Sequence, residues 1–102
     1  MKKYLKSRIS ILRDLDSNPL NSYPYKISQR VNITSATIYR EIYRMYEEGL
    51  ICISKEVRHQ NPKQRKKYYK LTPEGKRLAK LFYEVDEVYK NLSPLKDYKK
   101  HL

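Results

Sequence analysis

TSATIYREIYRMYEEGLICIS, residues 34–54, changes its hydrophobic period partway along, and that change decides the fold. Up to Glu48, the apolar residues Ile38, Ile42 and Met45 recur at helical spacing, with Ser35 and Tyr46 at the edge of their face. Thr34 is placed to cap this helix, and Gly49 to supply the left-handed residue just past its end. Beyond Gly49, Leu50, Ile51, Cys52 and Ile53 are apolar and mostly β-branched, and Val57 extends them as a strand. Cys52, the single cysteine, reads as a small core residue between Ile51 and Ile53.

Upstream, Leu5, Ile9, Leu12 and Leu15, widened by Ile11, predict a first helix that Ser17-Asn18-Pro19 stops. A short helix follows from about Pro24 to Val31, with Pro24 suited to the first turn and Asn32 breaking it. Downstream, residues 58–65 form a polar loop, and Lys66 to Leu71 return as a tyrosine-rich strand. Thr72 then caps a last helix that has Pro73 at its first position. That helix runs to about Leu92, roughly 28 Å at 1.5 Å per residue. Helix, helix, helix, hairpin, helix is the order of a winged helix-turn-helix, a mainly α (α+β) fold with a small β-hairpin. We expect one domain over 1–92, with the wing at about 51–71, a long dimerisation helix at about 73–92, and a polar tail over 93–102.

Charge points to the partner. The net charge is +12 and the pI about 9.8, a balance that favours a polyanion. Residues 55–70 hold seven bases and one acid, so half the excess lies in a stretch centred on the hairpin tip. No apolar run approaches the roughly 20 residues that span a bilayer, and Lys2-Lys3 lead into no signal-like stretch. An intracellular, cytoplasmic protein with no membrane partner is expected. His59 and His101 lack neighbours at metal-ligand spacing, and no phosphate loop or nucleophile motif is present. The chain therefore reads as a non-enzyme without a metal or cofactor.

The third helix turns Ser35, Ala36, Thr37, Arg40, Tyr43 and Arg44 away from the core, with Ser35 at the boundary. Thr37 suits a base edge or a phosphate, and Ala36 a thymine methyl. Arg40 and Arg44 suit a two-pronged contact with guanine, Arg40 first because Arg44 lies a turn further from the groove floor. Around the hairpin tip, Arg58, Lys63, Arg65, Lys66 and Lys67 suit backbone phosphates, and His59 and Gln64 add hydrogen bonds. Arg65 or Arg58 is the residue for a narrow minor groove.

SATIYREIYRMYEEGLI (35–51), followed after a polar loop by RKKYYKLTPEGKRL (65–78), resembles the PadR family of transcriptional regulators, relatives of the MarR winged-helix proteins. The matching residues include Thr37-Ile38-Tyr39, Gly49-Leu50-Ile51, Lys67-Tyr68-Tyr69 and Leu71-Thr72-Pro73-Glu74-Gly75. The resemblance implies a homodimeric, repressor-like DNA-binding protein that pairs through its terminal helices, with Tyr39 a packing residue at the edge of the recognition helix. The single short final helix resembles the smaller PadR subclass, and the Tyr- and Lys-rich composition is similar to that of small regulators from archaea and their viruses. No motif marks an effector pocket.

The last helix itself argues for a partner copy. Leu78, Leu81, Phe82, Val85, Val88, Tyr89 and Leu92 form a heptad-like stripe. One small domain covers its first part, and from about Val85 onward a second copy is needed to cover the rest. Leu81, Phe82, Val85, Val88, Tyr89 and Leu92 are the expected dimer contacts. The partner is double-stranded DNA with a near-palindromic site; a non-specific architectural or RNA-binding winged helix and a protein-interaction module stay open as alternatives.

Overall fold

A computed structural model describes residues 3–91, with side chains from Lys6 onward; the expectations for the Leu5 side chain, for Leu92 and for the tail over 93–102 lie outside what it describes. The elements are α1 (Lys3–Ser17), α2 (Pro24–Val31), α3 (Ser35–Glu47), β1 (Ile51–Val57), a 3-10 turn (Pro62–Gln64), β2 (Lys66–Leu71) and α4 (Pro73–Asn91). This is the mostly helical fold with an antiparallel hairpin expected of a winged helix-turn-helix. No helix among the described residues is long and apolar enough to cross a membrane.

The core follows from the helical periods. Ile11, Leu12 and Leu15 of α1 meet Ile27 of α2 and Ile38, Ile42 and Met45 of α3, with Ile51, Leu71 and Ala79 closing the cluster. Each such aliphatic side chain contributes about 1.5–3 kcal/mol by leaving water. The first strand departs from expectation: it buries Ile51 and leaves Cys52 half-buried and Ile53 exposed. Only the base of the hairpin reaches the core, so an apolar run that looks like core in the sequence is partly a wall of the surface.

Four short-range signals punctuate the chain where the sequence places them. Asn32 adopts the left-handed conformation (φ 56°) and ends α2. Gly49 (φ 76°) ends α3, donating to the Tyr46 carbonyl at 3.1 Å while Leu50 donates to Met45 at 2.9 Å. Thr72 accepts from the Gly75 amide at 3.1 Å and donates its hydroxyl to the Gly49 carbonyl at 2.6 Å. The Thr72 amide in turn donates to Leu50 at 3.1 Å. A Cβ at Gly75 would overlap the Leu50 carbonyl oxygen, so that position requires glycine. The end of α3, the start of α4 and both hairpin ends therefore meet in one hydrogen-bonded junction that contains both of the chain's glycines.

A separate tie fixes the hairpin to the α1–α2 turn. The Tyr69 amide donates to the Ser22 carbonyl at 2.8 Å. Ser22 is fully buried, its hydroxyl donating to Asn18 at 2.6 Å and accepting from Arg30 at 2.9 Å. Arg30 also grips both Asp14 carboxylate oxygens at 2.8 Å, a contact that holds the guanidinium pKa above its ordinary value. Hydrogen bonds and an ion pair thus tie the α1–α2 turn to α2 and to the wing.

Along α4 the apolar stripe divides by face as well as by length. Gly75 and Ala79 are buried, Leu78 and Phe82 pack partly on the core, and Asp86 pairs with Arg13 of α1. Leu81, Val85, Val88 and Tyr89 are exposed. Leu81 is open although it precedes Val85, and Phe82 is occupied by its own core. At about 100° per residue Leu81, Val85 and Val88 fall on a neighbouring side of the helix, whereas Tyr89 shares the side of Leu78 and Phe82 and is exposed because it lies further along.

Candidate nucleic-acid interface

The outer face of α3 is arranged as the sequence indicates. Ser35, Ala36, Arg40, Tyr43 and Arg44 are exposed and Thr37 is half-buried. Thr34 occupies the cap position but does not cap through its side chain: its hydroxyl donates to the Thr37 hydroxyl at 3.0 Å. The first-turn amides of α3 are left without that acceptor, which keeps the helix N-terminus available to a phosphate oxygen.

The two candidate reading arginines differ. Arg44 lies 3.3 Å from Glu41, which is only 2% exposed and also receives Arg8 Nε at 3.2 Å. Glu41 sits on the inward side of α3, a buried acid that the helical pattern of apolar residues does not announce. Arg8 continues the network to Glu48 at 2.7 Å. Arg40 meets no carboxylate among the described residues; its neighbour is the Thr37 hydroxyl, at a loose 3.4 Å. Its guanidinium is therefore ready for an outside partner at little cost.

In the wing, the tip is shaped by its own backbone. Asn61 accepts from the Lys63 amide and His59 Nδ1 from the Asn61 amide, each at 3.0 Å. Arg65 donates to the His59 carbonyl at 2.7 Å, closing the tip. Lys63 and Gln64 stand exposed at the tip, and Arg58 is 88% exposed with Glu56 at 3.6 Å. Lys66 departs from a simple phosphate role: its ammonium lies 4.6 Å over the Tyr23 ring, and Tyr23 meets Tyr68 edge-on at 5.2 Å. It braces the wing against the start of α2.

Wing and helix share a surface. Arg58, His59, Arg65, Lys66 and Lys67 line a cavity of about 890 Å³ together with Tyr39 of α3. Tyr43 and Lys67 line an adjoining cavity of about 370 Å³. The structure thus brings the inner wing residues to the flank of α3, while Ser35, Ala36, Thr37, Arg40 and Arg44 form the ridge beside them and Lys63 and Gln64 the far tip. Tyr39, expected to pack, is exposed and projects into both cavities. Across from it, burial raises the Tyr69 phenol above its ordinary pKa, with Tyr39, Tyr46 and Glu56 adding to the shift. Sequence reasoning passed over Tyr39, Tyr46 and Tyr69 as lining residues, although the spacing of Tyr39, Tyr43 and Tyr46 places them along one side of a helix.

With that geometry in view, the transcriptional regulator PadR-like family matches residues 11–81, from α1 into α4. The chain belongs to the PadR-like family. As a PadR-like transcriptional regulator it binds DNA and is not an enzyme. It is similar to a PadR family transcription regulator from Clostridium difficile R20291, with 26% identity and a TM-score of 0.72 over 86% of this chain and 94% of that one. It shares the fold of smu.1704 from Streptococcus mutans UA159, with 24% identity and a TM-score of 0.73 over 98% and 92%. The Staphylococcus aureus MarR protein, solved with salicylate and kanamycin, has the same fold at 22% identity, a TM-score of 0.66 and coverage of 84% and 55%. No curated protein matches the chain.

Proposed function

We propose that this PadR-like regulator is a homodimeric repressor that recognises a near-palindromic operator in the cytoplasm. Residues 1–92 act as one winged-helix unit, with 93–102 as a polar extension. The observation that carries the reading is Arg40: the other arginines of the helices each face a carboxylate, and Arg40, on the outer ridge of α3 beside the wing, does not. Arg40 reads a guanine in the major groove, helped by Thr37 and Ala36. Tyr43 and Arg44 extend that contact, and Ser35 and the open first turn of α3 hold a phosphate. Arg58, Lys63, Arg65 and Lys67 neutralise backbone charge, with His59 and Gln64 as hydrogen-bonding groups and Lys66 as the brace of the wing.

The exposed arc of Leu81, Val85, Val88 and Tyr89 supports pairing with a second copy, which would set two recognition helices about 34 Å apart. Selection of bound duplexes from a random pool tests the whole reading. A single two-fold symmetric site is the expected result, and a pool without any preferred sequence would overturn it. Sedimentation of Val88→Asp should give the mass of a monomer, while an unchanged mass removes α4 from the contact.

A further inference from the structure

We propose that the trough between α3 and the wing is a second nucleic-acid site, which takes an unpaired strand with its bases stacked on tyrosine rings. The two cavities share Tyr39, Lys67 and Tyr69, so they are adjoining compartments of one trough. Its helical wall carries Tyr39, Tyr43 and Tyr46, which are 59%, 66% and 47% exposed. Their spacing of four and three residues sets them along about 10 Å of helix. The core has no use for these rings, because Ile38, Ile42 and Met45 already fill the inner face of α3.

Lone exposed aromatics need no explanation, but three in file facing a cleft do. An aromatic file bordered by cations is the arrangement that holds single strands, because every base has a face to stack and every nucleotide a phosphate to neutralise. The cations are on the opposite wall: Lys67 stands between the two compartments, and Arg58 and Arg65 stand at the wider one. The acids of the trough are Glu56, which faces Arg58 at 3.6 Å, and Glu47, so positive charge prevails. An apolar protein segment would gain from the rings but not from that border. The trough shares Tyr43, Arg58, Arg65 and Lys67 with the proposed duplex contact, whereas Tyr39 and Tyr46 belong to the trough alone.

Fluorescence anisotropy with the full chain tests this, using labelled twelve-nucleotide oligothymidylate and oligouridylate beside a random duplex of the same length. We expect both Tyr39→Ala and Tyr46→Ala to weaken binding of the single strands about 5- to 150-fold, the equivalent of about 1–3 kcal/mol per stacked base. Duplex affinity should change less than about 3-fold, and Tyr39→Phe, which keeps the ring, should restore single-strand binding. Preference for oligothymidylate or for oligouridylate upholds the site and tells whether DNA or RNA occupies it. The inference falls if neither oligomer binds, or if the alanine variants weaken duplex and single strands alike. Because the duplex is measured in parallel, loss of the single-strand site leaves the operator reading intact.

Discussion

The helices and the wing use arginine in opposite ways. In the helices, Arg8, Arg13, Arg30, Arg44 and Arg77 each meet a carboxylate, and those pairs tie α1 to α2, to α3 and to α4 or brace one turn of a helix. In the wing, Arg58 is 88% exposed and meets Glu56 only at 3.6 Å, the longest of the arginine pairs, and Arg65 bonds a main-chain carbonyl. The first group spends its charge inside the protein, while the second leaves it for something outside. Arg40 sits on a helix and yet belongs with the second group. A net charge of +12 says that a polyanion is the partner; the absence of an internal carboxylate says where it is met.

Three variants, two single and one double, would break or sharpen this contrast. The largest effect is expected from Glu41→Ala. It leaves the Arg8 guanidinium, which is 17% exposed, with Glu48 as its remaining partner, and should cost about 2 kcal/mol of unfolding free energy, within the range for removing one partner of a charged hydrogen bond. Denaturant titration that finds less than about 1 kcal/mol would show that the helical pairs are as dispensable as surface ones. Arg40→Ala comes next. It should remove about 1–3 kcal/mol of discrimination at one base position in each half-site while leaving the unfolding midpoint in place. Equal losses on operator and random duplex would return Arg40 to the backbone-contact class. The smallest effect belongs to the pair Arg58→Ala and Lys63→Ala. The slope of log affinity against log salt should fall in magnitude by about 1.8, at about 0.9 per phosphate contact, for every duplex alike. Stability should move by no more than about 0.5 kcal/mol per substitution. A marked drop in the melting temperature would place these cations in the structural group after all.

Most of the architecture is legible in the sequence because its boundaries are set by local chemistry. Pro24, Asn32, Gly49 and Thr72-Pro73 each act within a turn of themselves, and the observed ends fall on them. What escapes the sequence depends on contacts between distant residues. Glu41 is a solvent-type residue by composition; its burial depends on Arg8, 33 positions away. Tyr39 lies where the helical wheel gives a boundary, and only the position of the hairpin decides whether that boundary meets core or cleft. Cys52 and Ile53 look like core by residue type, but a strand that leaves the body after Ile51 keeps Cys52 only half-buried and exposes Ile53. The apolar stripe of α4 shows a period but not a direction, so Phe82 and Leu81 appear equivalent although one packs inward and the other faces solvent. For the same reason the sequence ranks Arg40 over Arg44 by position along the helix alone, and the Arg44–Glu41 contact adds a second ground that no local pattern carries.

The junction of Gly49, Leu50, Thr72 and Gly75 closes the hairpin like the neck of a purse. Changes in the loop beyond Val57 leave the end of α3 in place, because the hairpin departs and returns at a point already fixed by hydrogen bonds. Lengthening such a loop is cheap, about 0.6 kcal/mol per doubling of its length. On the proposed reading, descendants of this chain can exchange wing tips and so rescale their phosphate contacts while Arg40 keeps the choice of base.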